Sequence, residues 1–179
     1  MRKVIFAINM SIDGCVDHTR FGPGEGVEEY FTALVRNVDL IAYGRKMYEL
    51  MFPYWTDPAN RDTPLEDEFA ERITSLDKIV FSRTLDSANY NTRIVNTDPV
   101  EELRKLKRAP GGNILISTVS MLPQLVEAGL IDEYRFVVHS VIVGQGTRLV
   151  EGSLPELLQL KLVESTVFNS GAVALRYLK

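Results

Sequence analysis

The chain has a single cysteine, Cys15, and two histidines, His18 and His139. One thiol cannot form an internal disulfide, and so few soft ligands do not make up the set of a structural zinc site, so no metal is expected in the chemistry. Long hydrophobic runs are also missing. A charged residue interrupts every apolar stretch well short of the roughly 18 residues a membrane span needs, and the segment after Met1-Arg2-Lys3 is too short for an export signal. The expectation is a cytoplasmic protein with no membrane contact. Positive charge is not in excess: Lys and Arg number 20 against 24 Asp and Glu, a formal net charge of -4, and the densest basic cluster, Arg104 to Arg108, falls on one predicted helix. No nucleic acid is expected as a partner. Repeats, low-complexity tracts and Pro/Ser-rich linkers are absent, so the 179 residues read as one domain, 1–179.

What is present is the balance of a globular protein, 45% hydrophobic and 25% charged, enough to bury one core. Val4-Ile5-Phe6-Ala7-Ile8 is a continuous branched run, the pattern of a strand covered on both faces. Met10 to Gly26 is polar and glycine-rich, after which Val27, Phe31, Leu34, Val35 and Val38 recur at helical spacing. Asp39 to Tyr43 predicts a strand, Arg45 to Met51 a short helix, Phe52 to Thr63 a surface loop, and Leu65 to Ile73 another helix. Lys78 to Ser82 and Arg93 to Val95 are brief strands. Asp98-Pro99-Val100-Glu101 places an N-cap before a first-turn proline, with Glu101 at the capping-box position. Asn113 to Ile116 and Tyr134 to His139 are strands around a helix capped by Gly129, and Lys161 to Phe168 and Ala172 to Leu178 flank the turn Asn169-Ser170-Gly171. Such alternation predicts an α/β fold with a mostly parallel central sheet, helices on both faces and a closing antiparallel hairpin. Right-handed crossovers then put the strand carboxyl ends on one edge, where ligands bind.

Four loops leave that edge: Asn9 to Gly14, Gly44 to Tyr48, Ser82 to Thr84, and Ser117 to Ser120. A fifth, Val143 to Arg148, carries Gly144 and Gly146. The corner at Gly44 and Arg45, strand end meeting helix start, offers free N–H groups and a cation, which suits a phosphate; a plain tight turn is the competing reading.

The segments Ser11-Ile12-Asp13-Gly14, Gly44-Arg45-Lys46-Met47-Tyr48-Glu49, Ala128-Gly129-Leu130-Ile131-Asp132-Glu133, and His139 through Val143-Gly144-Gln145-Gly146 span nearly the whole chain in order. On them the chain resembles the dihydrofolate reductase superfamily, and within it looks most like the reductase domain of the bacterial bifunctional riboflavin-biosynthesis deaminase/reductase and its stand-alone relatives. The resemblance implies a three-layer dihydrofolate reductase-like fold and NADPH as cofactor. It places Ser11, Gly44, Arg45, Met47 and Gly144 at the cofactor, Ser82, Arg83 and Thr84 near the adenosine phosphate, and Ser117, Thr118 and Val119 under the pyrophosphate. Paired guanidinium groups suit a 2'-phosphate because planar forks bind its oxygens bidentately. One departure stands out: relatives carry a glycine-containing turn where this chain has Ser117-Thr118-Val119, so cofactor binding that is weakened, shifted or lost is expected.

Glu28, on the first predicted helix, is the candidate for the acid that folate reductases place beside the reduced bond; its neighbour Glu29 competes, and both also read as ordinary first-turn carboxylates. Asp13 is a second catalytic candidate, against the plain reading of a turn aspartate. Asn9, Tyr48 and Trp55 are candidates for substrate contact, with Tyr48 and Trp55 equally readable as core aromatics, and His139 as a hydrogen-bonded core histidine. The implied activity is NADPH-dependent reduction of a pteridine- or pyrimidine-type small molecule, riboflavin-pathway chemistry ahead of dihydrofolate reduction, with a nucleotide-binding protein without turnover as the reading from another class. A homodimer is expected from the riboflavin relatives and from the apolar run Phe136 to Val143.

Overall fold

Branched strand residues and striped helices fold as the alternation predicts. The computed structural model describes residues 1–22, 24–150, 154 and 157–179. Its strands are β1 (Val4–Ser11), β2 (Val38–Gly44), β3 (Asp77–Phe81), β4 (Thr92–Val95), β5 (Asn113–Ser117), β6 (Glu133–His139), β7 (Lys161–Val167) and β8 (Val173–Leu178). The helices are α1 (Val27–Arg36), α2 (Arg45–Trp55), α3 (Pro64–Ser75), α4 (Pro99–Arg108) and α5 (Leu122–Glu127). One 8-stranded sheet runs in the order β4-β3-β2-β5-β1-β6-β8-β7. Every pairing from β4 through β6 is parallel, while β8 is antiparallel to both β6 and β7.

Alternate residues of the central strands feed two cores. Val4, Phe6 and Ile8 of β1 pack with Leu103 of α4 and Leu122 and Leu125 of α5. Ile5, Ile41, Tyr43 and Val80 pack on the other face with Leu34 and Val35 of α1, Phe52 of α2, and Phe69 and Ile73 of α3. Three layers result, since neither helix set can bury its stripe without the sheet; each buried aliphatic chain stabilises by roughly 1.5–3 kcal/mol relative to exposure. The sheet's parallel strands all end on one edge, at Ser11, Gly44, Phe81, Val95, Ser117 and His139.

Several boundaries differ from the sequence reading. β1 runs on to Ser11, three residues past Ile8, because β6 pairs it through Ser11 opposite His139. Val38 opens β2 rather than closing α1. Helix α2 continues through Pro53 to Trp55, into the stretch expected as loop. The Phe52 ring explains this: it lies 5.7 Å from Tyr43, 4.7 Å from Tyr48 and 5.8 Å from Tyr90, and that burial outweighs the hydrogen bond proline removes. The capping box forms on α3, not α4. Asp98 does accept from the Glu101 N–H at 3.0 Å, but the Glu101 side chain turns to Arg104 at 2.6 Å. Gly129, at φ 65°, ends α5 as expected, its N–H bonding Val126 and that of Leu130 bonding Leu125. Among the described residues no helix is long and apolar enough to cross a membrane.

Candidate functional site

A cavity of about 620 Å³ lies between the sheet and helices α1, α2 and α3. Its floor comes from strand residues near the carboxyl edge: Ala7 and Asn9 of β1, Ile41 and Tyr43 of β2, Leu115 and Ser117 of β5, and His139 of β6. The walls are Glu28 and Phe31 of α1, Met47, Met51, Tyr54 and Trp55 of α2, and Glu66 and Phe69 of α3, with Thr19 to Gly22 along the side. Trp55 and Phe69 meet at 4.7 Å between ring centroids. A space lined this heavily by aromatic rings, with few polar groups among them, suits a flat heterocycle.

Two carboxylates enter it. Glu28 has its Oε1 buried with no hydrogen-bond partner among the described residues. Burial, and secondarily the Glu66 charge, push its pKa above the ordinary carboxylate value. Glu66 is the opposite case: its Oε2 accepts from the Asp62 N–H at 2.7 Å, the Thr63 N–H at 2.8 Å and the Thr63 hydroxyl at 3.1 Å. Those donors, the Asp62 N–H foremost, hold it below the ordinary value. On the floor, His139 Nε2 donates to Asn9 Oδ1 at 2.9 Å and its ring lies 4.8 Å from Phe21. Burial pushes the imidazole pKa down, so His139 is neutral here.

Of the predicted site residues, the cavity brings together Asn9, Glu28, Met47, Trp55 and Ser117. Four others are engaged elsewhere. Tyr48 is buried in the α2 core, its hydroxyl accepting from the Asn89 N–H at 2.9 Å and donating to the Asn89 carbonyl at 3.3 Å, so it does not face a substrate. Asp13 accepts from the Ser11 hydroxyl at 2.6 Å and from the Val143 and Gly144 N–H groups at 3.0 and 2.9 Å, with Arg148 at 3.2 Å. The Ser11 bond first, then the two backbone bonds, drive its pKa far down, which makes it a loop anchor and not a proton donor. Ser11 is fully buried, its oxygen also accepting from the Cys15 N–H at 2.9 Å. Ser11 and the Gly144 N–H are therefore both part of this clamp.

The remaining predicted residues sit together on the sheet edge. Gly44 is in register with Phe81, so Arg45 and the turn Ser82-Arg83-Thr84 leave neighbouring strand ends. Arg45, Lys46 and Arg83 are exposed, and Arg45 lies 3.2 Å from Glu49. No side chain caps α2. Ser82 Oγ accepts from the Thr84 and Leu85 N–H groups, which folds Arg83 into a tight turn. Across the corner Thr118 is buried, and a Cβ built on Gly44 would lie 2.5 Å from its Oγ1. Tyr90 and Asn91 are the non-glycine residues with positive φ among those described, so Ser117-Thr118-Val119 adopts ordinary backbone. The missing Cβ of Gly44 in β2 is what makes room for the Thr118 side chain after β5. A dinucleotide's phosphates fit this edge: exposed cations, an uncapped helix start and a tight corner.

Sequence reasoning did not single out Arg20, Phe21, Phe31, Tyr54 or Glu66. Only Glu66 had a local signal, the Thr63-Pro64-Leu65-Glu66 box; the rest meet through packing between elements distant in sequence.

The sequence model of the RibD C-terminal domain matches residues 2–174. YyaP of Bacillus subtilis (strain 168), described as an uncharacterised protein, is 32% identical over 184 residues, covering 98% of this chain and 94% of its own. A protein of Shewanella sp. PV-4 named for riboflavin biosynthesis superposes with a TM-score of 0.74 at 20% identity, over 99% of this chain and 98% of that one. Dihydrofolate reductase from Enterococcus faecalis, solved with NADP(H), superposes with a TM-score of 0.62 at 12% identity, over 98% and 95%. The structural likenesses establish a shared dihydrofolate reductase-like fold.

Proposed function

The chain belongs to the RibD C-terminal domain family, and from that premise we propose that it is an NADPH-dependent reductase of a small pyrimidine- or pteridine-type heterocycle, of riboflavin-pathway type. The observation that carries the reading is Glu28, whose Oε1 is buried without a hydrogen-bond partner among the described residues, in an aromatic cavity that adjoins the cationic edge. NADPH, when bound, supplies a hydride to a C=N or C=O carbon. Arg45, Lys46 and Arg83 would hold its phosphates, and Met47 and Ser117 line the cavity where it runs on from that edge. Trp55, Phe69 and Phe31 exclude water and hold the substrate ring flat. Glu28 keeps a proton at its carboxyl and passes it to the heteroatom of the reduced bond.

One observation favours dihydrofolate as a second reading: the partnerless carboxyl is on the first helix, where folate reductases carry their acid. Turnover assays with a ribosylaminopyrimidine and with dihydrofolate separate the two. Glu28→Gln is expected to lower kcat by about 100-fold or more with NADPH affinity unchanged. Arg83→Ala is expected to weaken NADPH about tenfold while leaving NADH little altered. Absence of any NADPH-induced thermal shift in the unaltered protein refutes the reductase reading; a shift without turnover on either substrate class leaves a nucleotide-binding protein.

A further inference from the structure

We propose that Glu66 is a positioning residue: anchored on the capping box that starts α3, its fixed carboxylate shares the cavity with Glu28 and keeps Glu28 in its proton-bearing form. This rests on the reading of Glu28 as the proton donor. The anchor is reciprocal, three donors landing on Glu66 Oε2 while the Glu66 N–H donates to Thr63 Oγ1 at 3.2 Å. A carboxylate so held cannot swing away or take up a proton cheaply. Glu28 has no such support, since its Oε1 is buried without a partner. Two acids lining one cavity ionise less readily together than apart, and the one without donors takes the proton first.

The cations of α1, of α3 and of the loop before α3 are engaged with other partners. Arg36, on the helix of Glu28, forks onto Glu68 at 2.5 and 2.6 Å. Arg61 pairs with Asp67 at 3.2 Å, and Arg72 bonds the carbonyls of Val35 and Val38. The other ionisable groups lining the cavity are Arg20 on the loop, Tyr43 on β2, Tyr54 on α2 and the neutral His139 on β6, while Glu29 on α1 is exposed. Glu66 is thus the second carboxylate of the lining. When bound, NADPH would supply a hydride, one proton with two electrons, to the substrate carbon and become NADP+; the adjacent heteroatom takes the Glu28 proton, and Glu28 regains one from water.

The test is a carbon-13 carboxyl titration of the free protein with labelled glutamate, the Glu28 signal assigned by its loss in Glu28→Gln. Glu66→Gln retains an acceptor for the Asp62 and Thr63 donors but removes the charge. The expected result is a Glu28 midpoint moved to lower pH, with the alkaline limb of the kcat profile moving the same way, kcat above it falling roughly threefold and KM little changed. Glu66→Asp, which keeps the charge, is expected to restore most of the midpoint and serves if the glutamine variant folds poorly; Glu71→Gln, exposed on the same helix, leaves it in place. An unmoved midpoint in Glu66→Gln overturns the proposal. Full turnover by Glu28→Gln instead sinks the donor reading itself, whereas an inactive Glu28→Gln with an unmoved Glu66→Gln midpoint sinks only the role of Glu66.

Discussion

Replacing Gly44 by alanine tests the corner on which the cofactor edge depends. The Gly44 backbone has φ -79° and ψ 154°, which alanine adopts without strain, so any penalty is steric. The added methyl would lie 2.5 Å from Thr118 Oγ1 and 3.1 Å from Thr118 Cβ. Thr118 is buried and cannot swing its hydroxyl into solvent, so the ends of β2 and β5 must part by several tenths of an ångström. Overpacking of this kind costs about 1–3 kcal/mol. For a chain of this length, with an unfolding entropy of roughly 0.4 kcal/mol/K, the expected loss in Tm is about 3–8 °C. Thr118→Ala in the same chain removes the shorter contact and leaves the 3.1 Å one, so the double variant should recover most of the loss but not all. Denaturant unfolding of the four proteins in the cycle gives the coupling, expected at about 1 kcal/mol or more. NADPH-induced thermal shifts on the same set should fall in Gly44→Ala and return in part with Thr118→Ala. Strict additivity, or an unaltered Tm in Gly44→Ala, refutes the idea that Gly44 is needed to seat Thr118 at this corner.

Other expectations follow from the clamp, the buried lysine and the edge strand. The depressed Asp13 pKa means its stabilisation is present above the ordinary value of 3.8 and is lost as pH falls below it; Asp13→Asn should abolish that acid sensitivity, read as proteolysis within 12–14 and 143–148 across a pH series. Equal nicking of both proteins at every pH would dismiss the clamp. Lys78, 2% exposed, donates to the carbonyls of Ile73, Thr74 and Leu76, and Lys78→Met should cost roughly 2–4 kcal/mol by leaving them without donors. An unchanged denaturation midpoint would contradict this. All seven residues of β7 are exposed, Val167 at 74%, which supports the proposal of a homodimer closed over this edge. Sedimentation should then show a species near twice 20.2 kDa at micromolar concentration, and a monomer alone would end it.

Much of the frame was legible because it is locally encoded. The branched run from Val4 reads as a two-faced strand, and Asp98-Pro99 and Gly129 mark helix ends by chemistry that needs no partner. What was not legible depends on long-range contact. Nothing near Pro53 announces that Phe52 sits among Tyr43, Tyr48 and Tyr90, so the sequence predicts a helix that ends too early. Asp13 looks the same in sequence whether it faces a substrate or, as here, two N–H groups 130 residues away. Glu28 was nameable from its place on the first helix; that its oxygen lacks a partner, and that Glu66 shares its cavity, follows from the packing of α1 against α3.

Helix α3 is tied at its start by Thr63 and Glu66, at its end by the Lys78 ammonium, and along its side by Arg72 to the chain leaving α1. A wall restrained at three points does not give way to a bulky ligand. Tolerance for size is therefore one-sided: analogues lengthened toward Phe69 and Ile73 are refused by overlap, whereas those lengthened toward Thr19, Arg20 and Gly22, on the exposed loop, meet solvent. A ligand series grown in those two directions from one ring should split accordingly, and a tight inhibitor of this protein would gain its added length on the loop side.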